Sequence, residues 1–231
     1  MMTTQVLRAR LVSLVPASAT TSLACLQWCS VDDHCPIRPG DVAQCLVSGH
    51  EGVFVAFASV LNNDGRFEWL VRHKTLLYSY LESIGDGVID MRAPFGRPFP
   101  MDRMVGRSVV LVASGTGIAP MRAVVQTIMI HRHRYQSVTL LYGARNAQDF
   151  AFSSEIEVWR ENRILTLRTV SQLPAKDWSE GVGYVQRHLG QVLGLGRETY
   201  VLVCGGYSMT QETMDLAEAL GVSPDHIFSN Y

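Results

Sequence analysis

No stretch of this 231-residue chain is apolar for the ~18–20 residues that a membrane-spanning helix needs. Neither sign of charge dominates. Twenty basic side chains against 21 acidic ones leave a formal net charge of −1, which gives no electrostatic hold on nucleic acid or an anionic membrane. Four of the five cysteines fall early, at Cys25, Cys29, Cys35 and Cys45. The 3, 5 and 9 residues between them match no zinc or iron–sulfur pattern, so no metal is expected. An odd count with no secretory leader reads as reduced thiols in an intracellular compartment, cytoplasmic or mitochondrial. Acids are also missing before Asp32, while Arg8 and Arg10 are present, as in a mitochondrial transit peptide. However, Gln5–Val15 alternates as a strand does, and a barrel needs a first strand. Internal repeats, low-complexity tracts and any Ser-His-Asp arrangement are absent.

Hydrophobic residues at 47% and charged residues at 18% are enough for a proper core in one or two domains. The first hundred residues read as short strands: Gln5–Val15, Thr21–Cys29, Asp41–Val47, Gly52–Leu61, Phe67–Arg72 and Val88–Ala93. Turns are signalled at Pro39-Gly40-Asp41 and Asn62-Asn63-Asp64-Gly65. One short helix, Tyr78–Ile84, stops at Gly85. Many short strands and no long helix predict a small antiparallel β-barrel over 1–103. The pattern changes near Met101–Gly106. Ser108–Ala113 is a continuous apolar run, as in a strand buried on both faces. Met121, Val124, Val125, Ile128 and Met129 then recur at helical spacing, and the basic run His131–Arg134 ends that helix, where it would complement the dipole. Strands Ser137–Tyr142, Ile164–Val170 and Thr199–Cys204 alternate with helices that open at the capping-box signature Ser154-x-x-Glu157 and run over Val185–Leu193 and Met209–Leu220. This order predicts a doubly wound parallel sheet over 104–231, so that the chain is α/β plus all-β.

The most informative segment is Gly115-Thr116-Gly117-Ile118-Ala119-Pro120, which leaves a buried strand and opens a helix. Two glycines let the backbone turn tightly and approach a ligand. Pro120 suits the first helical turn, where its missing N–H costs nothing. The free N–H groups and the helix dipole then face a pyrophosphate. A second candidate is Cys204-Gly205-Gly206 at the end of another strand, where ligands of open α/β sheets sit. A cysteine there either turns its thiol into the crevice or is a small buried side chain.

Five motifs in order resemble the ferredoxin–NADP reductase superfamily, flavin and nicotinamide reductases built from a barrel and a nucleotide domain. They are Pro94-Phe95-Gly96-x-x-Phe99, Gly115–Pro120, Tyr142-Gly143-Ala144-Arg145, Gly183-Tyr184-Val185, and Cys204-Gly205-Gly206 with Met209. In the last, Gly206 replaces the family's proline. The resemblance covers nearly the whole chain. It implies an NAD(P)H-dependent oxidoreductase passing hydride between nicotinamide and FAD between the domains, with a protein electron acceptor or host complex as partner. By the same resemblance, Gly115, Thr116, Gly117, Ala119, Pro120, Tyr142, Gly143, Arg145, Gly205, Gly206 and Met209 hold the nucleotide. Cys204 lies beside the nicotinamide, and Tyr231 either stacks on the flavin or packs on the surface.

The chain departs from that family where the flavin should bind. The signature Arg-x-Tyr-Ser becomes Val53-Phe54-Val55-Ala56, followed by Phe57-Ala58-Ser59. The glycine-rich turn becomes Thr75-Leu76-Leu77-Tyr78-Ser79, with Tyr78 where a small hydroxyl belongs. Arg72 or Lys74 remains as a cation, and Ser79 or Thr75 as a hydroxyl. FAD is therefore expected to be weakly held or lost. Two readings follow: a flavin oxidoreductase, or a pseudo-reductase that keeps the fold as a scaffold or subunit. NADP-specific relatives place a Ser-Arg pair after the third strand of the nucleotide domain, and Ser171-Gln172-Leu173-Pro174 lacks that arginine. Any preference for NADPH over NADH is thus expected to stay below about a hundredfold, roughly 2.7 kcal/mol, with a slight lean to NADH. Parallel titrations with the two nucleotides check this, and a larger NADPH preference refutes it.

Overall fold

Alternating burial along the first strands sets the barrel. In the computed structural model, which describes residues 5–60, 64–172 and 174–230, β1 (Leu7–Pro16) buries Leu7, Ala9 and Leu11 and exposes the residues between. With β2 (Thr21–Trp28), β3 (Val42–Cys45), β4 (Val53–Ala56), β5 (Arg66–Arg72) and β6 (Val88–Phe95) it forms one antiparallel sheet in the order β4-β3-β6-β1-β2-β5. A bridge between Phe57 and Trp69 and a 2.7 Å bond from Ala58 N–H to the Glu68 carbonyl join the two edges and close the barrel. Phe57, Phe67, Trp69, Leu81 and Met91 fill its core. Helix α1 (Leu76–Ile84) supplies Leu77 and Leu81, is capped by Thr75 and stops at Gly85. Leu61, Asn62 and Asn63 of the expected fourth strand and turn lie outside the described residues.

The second sheet is parallel throughout. It comprises β7 (Val109–Ser114), β8 (Val138–Ala144), β9 (Leu165–Val170), β10 (Gly181–Val182), β11 (Tyr200–Cys204) and β12 (Ile227–Ser229), ordered β10-β9-β8-β7-β11-β12. Helices α2 (Ile118–Ile130), α3 (Ile156–Glu161) and α4 (Tyr207–Ala219) connect the strands. The apolar run in β7 is buried on both faces, as its composition requires. Val109, Leu111 and Ala113 join one cluster and Val110 and Val112 the other. Tyr200, Leu202 and Cys204 of β11 face the first cluster, which also contains Ala58, Leu70 and Phe99 of the barrel half. The two sheets therefore share a core.

Several expectations need correction. Ser154 caps nothing: Phe152 adopts a left-handed conformation (φ 59°), a 3-10 turn takes Ser153–Glu155, and α3 starts at Ile156. The expected third helix is a 3-10 segment, Val185–Gln191. The basic run lies beyond the end of α2, and Arg132 donates instead to the carbonyls of Arg163 and Tyr135. Strands β10 and β12, two and three residues long, have no counterpart in the sequence reading.

A buried cation joins the halves. Arg122 of α2 lies among apolar neighbours, with Nη1 2.6 Å from Glu68 of β5 and 2.9 Å from the Ala58 carbonyl oxygen. Its Nε is 2.9 Å from Glu155, and its guanidinium lies 4.5 Å from the centre of the Phe152 ring. Burial opposes the charge, but the hydrogen bonds to Glu155 and Glu68 outweigh it and hold the pKa above its usual value. Replacing Arg122 with Ala leaves two carboxylates facing one another without their cation. The expected loss is about 3 kcal/mol of unfolding free energy in urea. A loss below about 1 kcal/mol would show that the junction does not hold the halves together.

Candidate nucleotide-binding site

Strands β7 and β11 are neighbours whose chains leave in opposite directions, β7 towards β8 and β11 towards β12. This is the switch point of the sheet, where open α/β folds place ligands. Here β7 ends in a 3-10 turn, Gly115–Gly117, that runs straight into α2, and β11 ends in Gly205-Gly206 before α4. Gly115 has φ +54°, which favours glycine. A Cβ on Gly117 would collide with the Cys204 carbonyl and stand 2.8 Å from the Gly205 nitrogen. One on Gly205 would collide with Ser114 and Met209. The two turns therefore pack backbone against backbone. Helices α2 and α4 each span 13 residues, and no side chain caps either N-terminus. The N–H of Ile118, the first of α2, is spent on the Gly115 and Thr116 carbonyls and Pro120 has none, but the positive ends of both dipoles lie beside the paired turns, an arrangement suited to a diphosphate.

The companion residues divide by role. Tyr142 is fully buried; its hydroxyl accepts from Ala151 N–H at 3.1 Å and lies 3.4 Å from the Gly115 carbonyl, so it braces the turn from behind. Burial pushes its pKa upward. At Gly143 a Cβ would stand 2.8 Å from that of Val185, so glycine there serves packing. Arg145 is exposed at the end of β8, with its carbonyl accepting from Gln172 N–H at 3.1 Å. Met209 sits beneath Gly205 with its sulfur 3.3 Å from Thr213 Oγ1. Ala119 and Pro120 are buried in the first turns of α2, while Thr116 is half-buried and Gly206 exposed. Burial pushes the Cys204 thiol up to about 12 against an opposing hydrogen bond with Asn230. It is therefore protonated at neutral pH and cannot act as a thiolate nucleophile. Tyr231 and Leu173 lie outside the described residues. Ser79 is exposed on α1, and Thr75, which caps that helix, also donates to the Arg72 carbonyl at 2.7 Å. Arg72 itself reaches the site: one guanidinium nitrogen lies 2.9 Å from where a Cβ would stand on Gly115.

The sequence reading missed other features. Ser114 packs between the turns, and Arg122 was visible as the one charge in an apolar helix face. An aromatic stack of Phe150 on Trp178, with ring centres 5.6 Å apart, carries Arg168 over both rings. Arg168 Nε in turn pairs with Glu180 at 2.8 Å. The Asp149–Phe152 segment gave no periodic signal from which this stack could be read.

The switch point fits a dinucleotide in that glycine at 117 and 205 lets the two turns pack backbone against backbone, which brings the uncapped ends of α2 and α4 together. Strand β4 does not fit a tightly held flavin. Val55 is buried in the barrel core, exposed Phe54 packs edge-on against Phe95 at 5.8 Å, and Val53 and Ala56 carry no polar group. The hydroxyl of Ser59, the nearest in sequence, is itself buried and unpartnered. At the following turn Lys74 holds φ +60°, so a backbone shape that favours glycine persists with a side chain on it. The Tyr78 ring lies 4.7 Å from that of His73.

Residues 111–215 match the family model described as the oxidoreductase NAD-binding domain. The chain is 26% identical over 197 residues to the sulfhydrogenase 1 subunit gamma of Pyrococcus furiosus, covering 83% of this chain and 66% of that protein. It is 25% identical over 203 residues to NADH-cytochrome b5 reductase 1 of Dictyostelium discoideum, covering 84% and 70%. In fold it is similar to a cytochrome P450 reductase of Amycolatopsis, with a TM-score of 0.86 and 19% identity over 98% of this chain and 69% of that one. The ferredoxin reductase of carbazole 1,9a-dioxygenase gives a TM-score of 0.80 at 18% identity, again covering 98% and 69%. The chain therefore has the fold of these reductases, and residues 111–215 of it match an NAD-binding domain of oxidoreductases. Among the described residues no helix is long and apolar enough to cross a membrane.

Two glycines at the switch point, one packed and one open, should respond differently to alanine. Gly117→Ala meets backbone and should weaken NADH binding by about tenfold or more. At Gly206 a Cβ would meet nothing within 4 Å, and Gly206→Ala should bind NADH as the parent does. Calorimetric titration of both variants checks this, and equal affinities would contradict the packing argument.

Proposed function

We propose that this chain is an NAD(P)H-dependent flavin oxidoreductase whose flavin enters and leaves as an exchangeable partner. The barrel, 1–103, and the nucleotide domain, 104–231, are its two working units. The observation that carries this reading is the pair of glycine turns at the switch point, with two uncapped helix ends beside them. When bound, the nicotinamide supplies a hydride. Residues of this chain hold and orient it: the positive ends of α2 and α4 face the diphosphate, and Arg145 offers a charge at the end of β8. Cys204, neutral and buried, shapes the floor of the crevice.

A second reading is favoured by β4, which offers the flavin neither cation nor hydroxyl. In that reading the chain is a scaffold or accessory subunit that still binds a nucleotide, and the name of the Pyrococcus furiosus relative, a subunit gamma, supports it. The flavin-to-protein ratio after gel filtration, measured beside NADH titration, separates the two. We expect a ratio well below one, NADH binding, and NADH-dependent bleaching of added free FAD. NADH binding without bleaching selects the scaffold. A ratio near one that survives gel filtration refutes the weak flavin site.

A further inference from the structure

We infer that the N-terminal edge of the parallel sheet is a docking face for a partner protein, and that it takes an acidic segment carrying an apolar side chain. Three segments meet there, at the end of the sheet away from the nucleotide turns. Gly106 N–H donates to the Arg134 carbonyl at 2.7 Å, and Gln136 N–H to the Arg107 carbonyl at 3.0 Å. Arg132 Nη2 donates to the Arg163 carbonyl at 2.9 Å. Residues 102–108, 131–137 and 160–163 together hold six arginines against two acids, Asp102 and Glu161. In a chain of net charge −1 this is a local excess of positive charge. Arg107 is neutralised by Glu198, and Arg160 by Glu157 and Glu180. Arg132, Arg134 and Arg163 make no ion pair among the described residues.

These charges are held in place. Arg132 is half-buried, with Nε and Nη2 on the Arg163 carbonyl and Nη1 on the Tyr135 carbonyl. Burial and the Arg163 charge hold its pKa below the usual guanidinium range. Arg163 has φ +59°, an uncommon conformation for a residue with a side chain. Like charges this close repel, and an anion from outside relieves the repulsion. Beside them lies an apolar hollow of about 270 Å³, lined by Ile164, Leu165 and Leu167 with Thr139 and Arg160. Leu165 is 66% exposed, and Ile130, which ends α2, is 67% exposed. Guanidinium forks take carboxylates two oxygens at a time, and protein interfaces set an apolar core within a charged rim. A nucleic acid would leave the apolar positions uncovered. Tyr135 and Trp159 are both buried, so neither ring is open to a base. The length of β7, roughly 20 Å, separates this edge from the glycine turns, so partner and nucleotide bind without competing.

The test uses the full chain and two labelled synthetic peptides, one repeating Glu-Glu-Leu and the other Glu-Glu-Ala, beside an oligothymidylate of equal charge. Thermal melts confirm folding of each variant, and fluorescence anisotropy reads binding. The parent should bind the leucine peptide with a Kd of about 100 µM or tighter at low salt, and more weakly as salt rises. Arg134→Ser combined with Arg163→Asn should weaken it by about tenfold or more, asparagine being a residue that accepts a positive φ. Leu165→Ser should weaken the leucine peptide and leave the alanine peptide unchanged. Arg97→Ser removes an exposed arginine from the barrel half and should change nothing. Saturating NADH should not displace the peptide. Four results overturn the inference: no peptide binding by the parent, tighter binding of the oligothymidylate than of either peptide, equal binding of the two peptides, or displacement by NADH. A double variant that binds as the parent does overturns it as well.

Discussion

The backbone contact between the turns after β7 and β11 constrains everything around it. Because the Cys204 carbonyl lies where a side chain at Gly117 would project, the two strand ends are locked together. That lock places the N-termini of α2 and α4 side by side. Tyr142 supports the arrangement from behind by holding Ala151 and closing on Gly115, and Met209 supports it from below. Replacing a single hydrogen atom in this region changes the shape of the crevice. This is why a short glycine motif carries so much of the functional information.

Arg122 performs a different task from the same helix. It lies one turn beyond the start of α2 and reaches across to the barrel, where its partners come from β5 and from the segment that follows β4. The start of α2 and the barrel seam at Ala58 and Glu68 are therefore tied through one side chain. A buried ion pair adds little net stability compared with an apolar contact of equal size. What this one contributes is a fixed orientation between the two halves.

Much of this was legible in the sequence. Period-two burial in β1 and the unbroken apolar run of β7 announced two kinds of sheet, and the glycines of Gly115–Pro120 announced the turn from β7 into α2. The misreadings have physical causes. Strands β10 and β12 are too short to show a period. The Ser154 signature failed because left-handed Phe152 reset the helix start. The partners of Arg122 lie 54 residues away at Glu68 and 33 away at Glu155, where no local rule reaches. The loss of flavin ligands in β4 was plain from residue type alone, whereas the position of Arg72 against Gly115 emerged only from the fold.

The seam of the barrel has a consequence for how the protein can be divided. Beyond β4, the ring is joined to β5 by the Phe57–Trp69 bridge and the Ala58–Glu68 bond, and the Ala58 carbonyl and Glu68 carboxylate at that seam are both held by Arg122. The clasp of the first unit is thus a side chain of the second. Cut apart, the barrel would keep its strands but lose the hand that closes them, and the nucleotide half would bare the apolar surface that Leu70 and Phe99 now cover. The two halves are modular in topology and interdependent in folding, so unfolding should be a single cooperative event and not two separate ones.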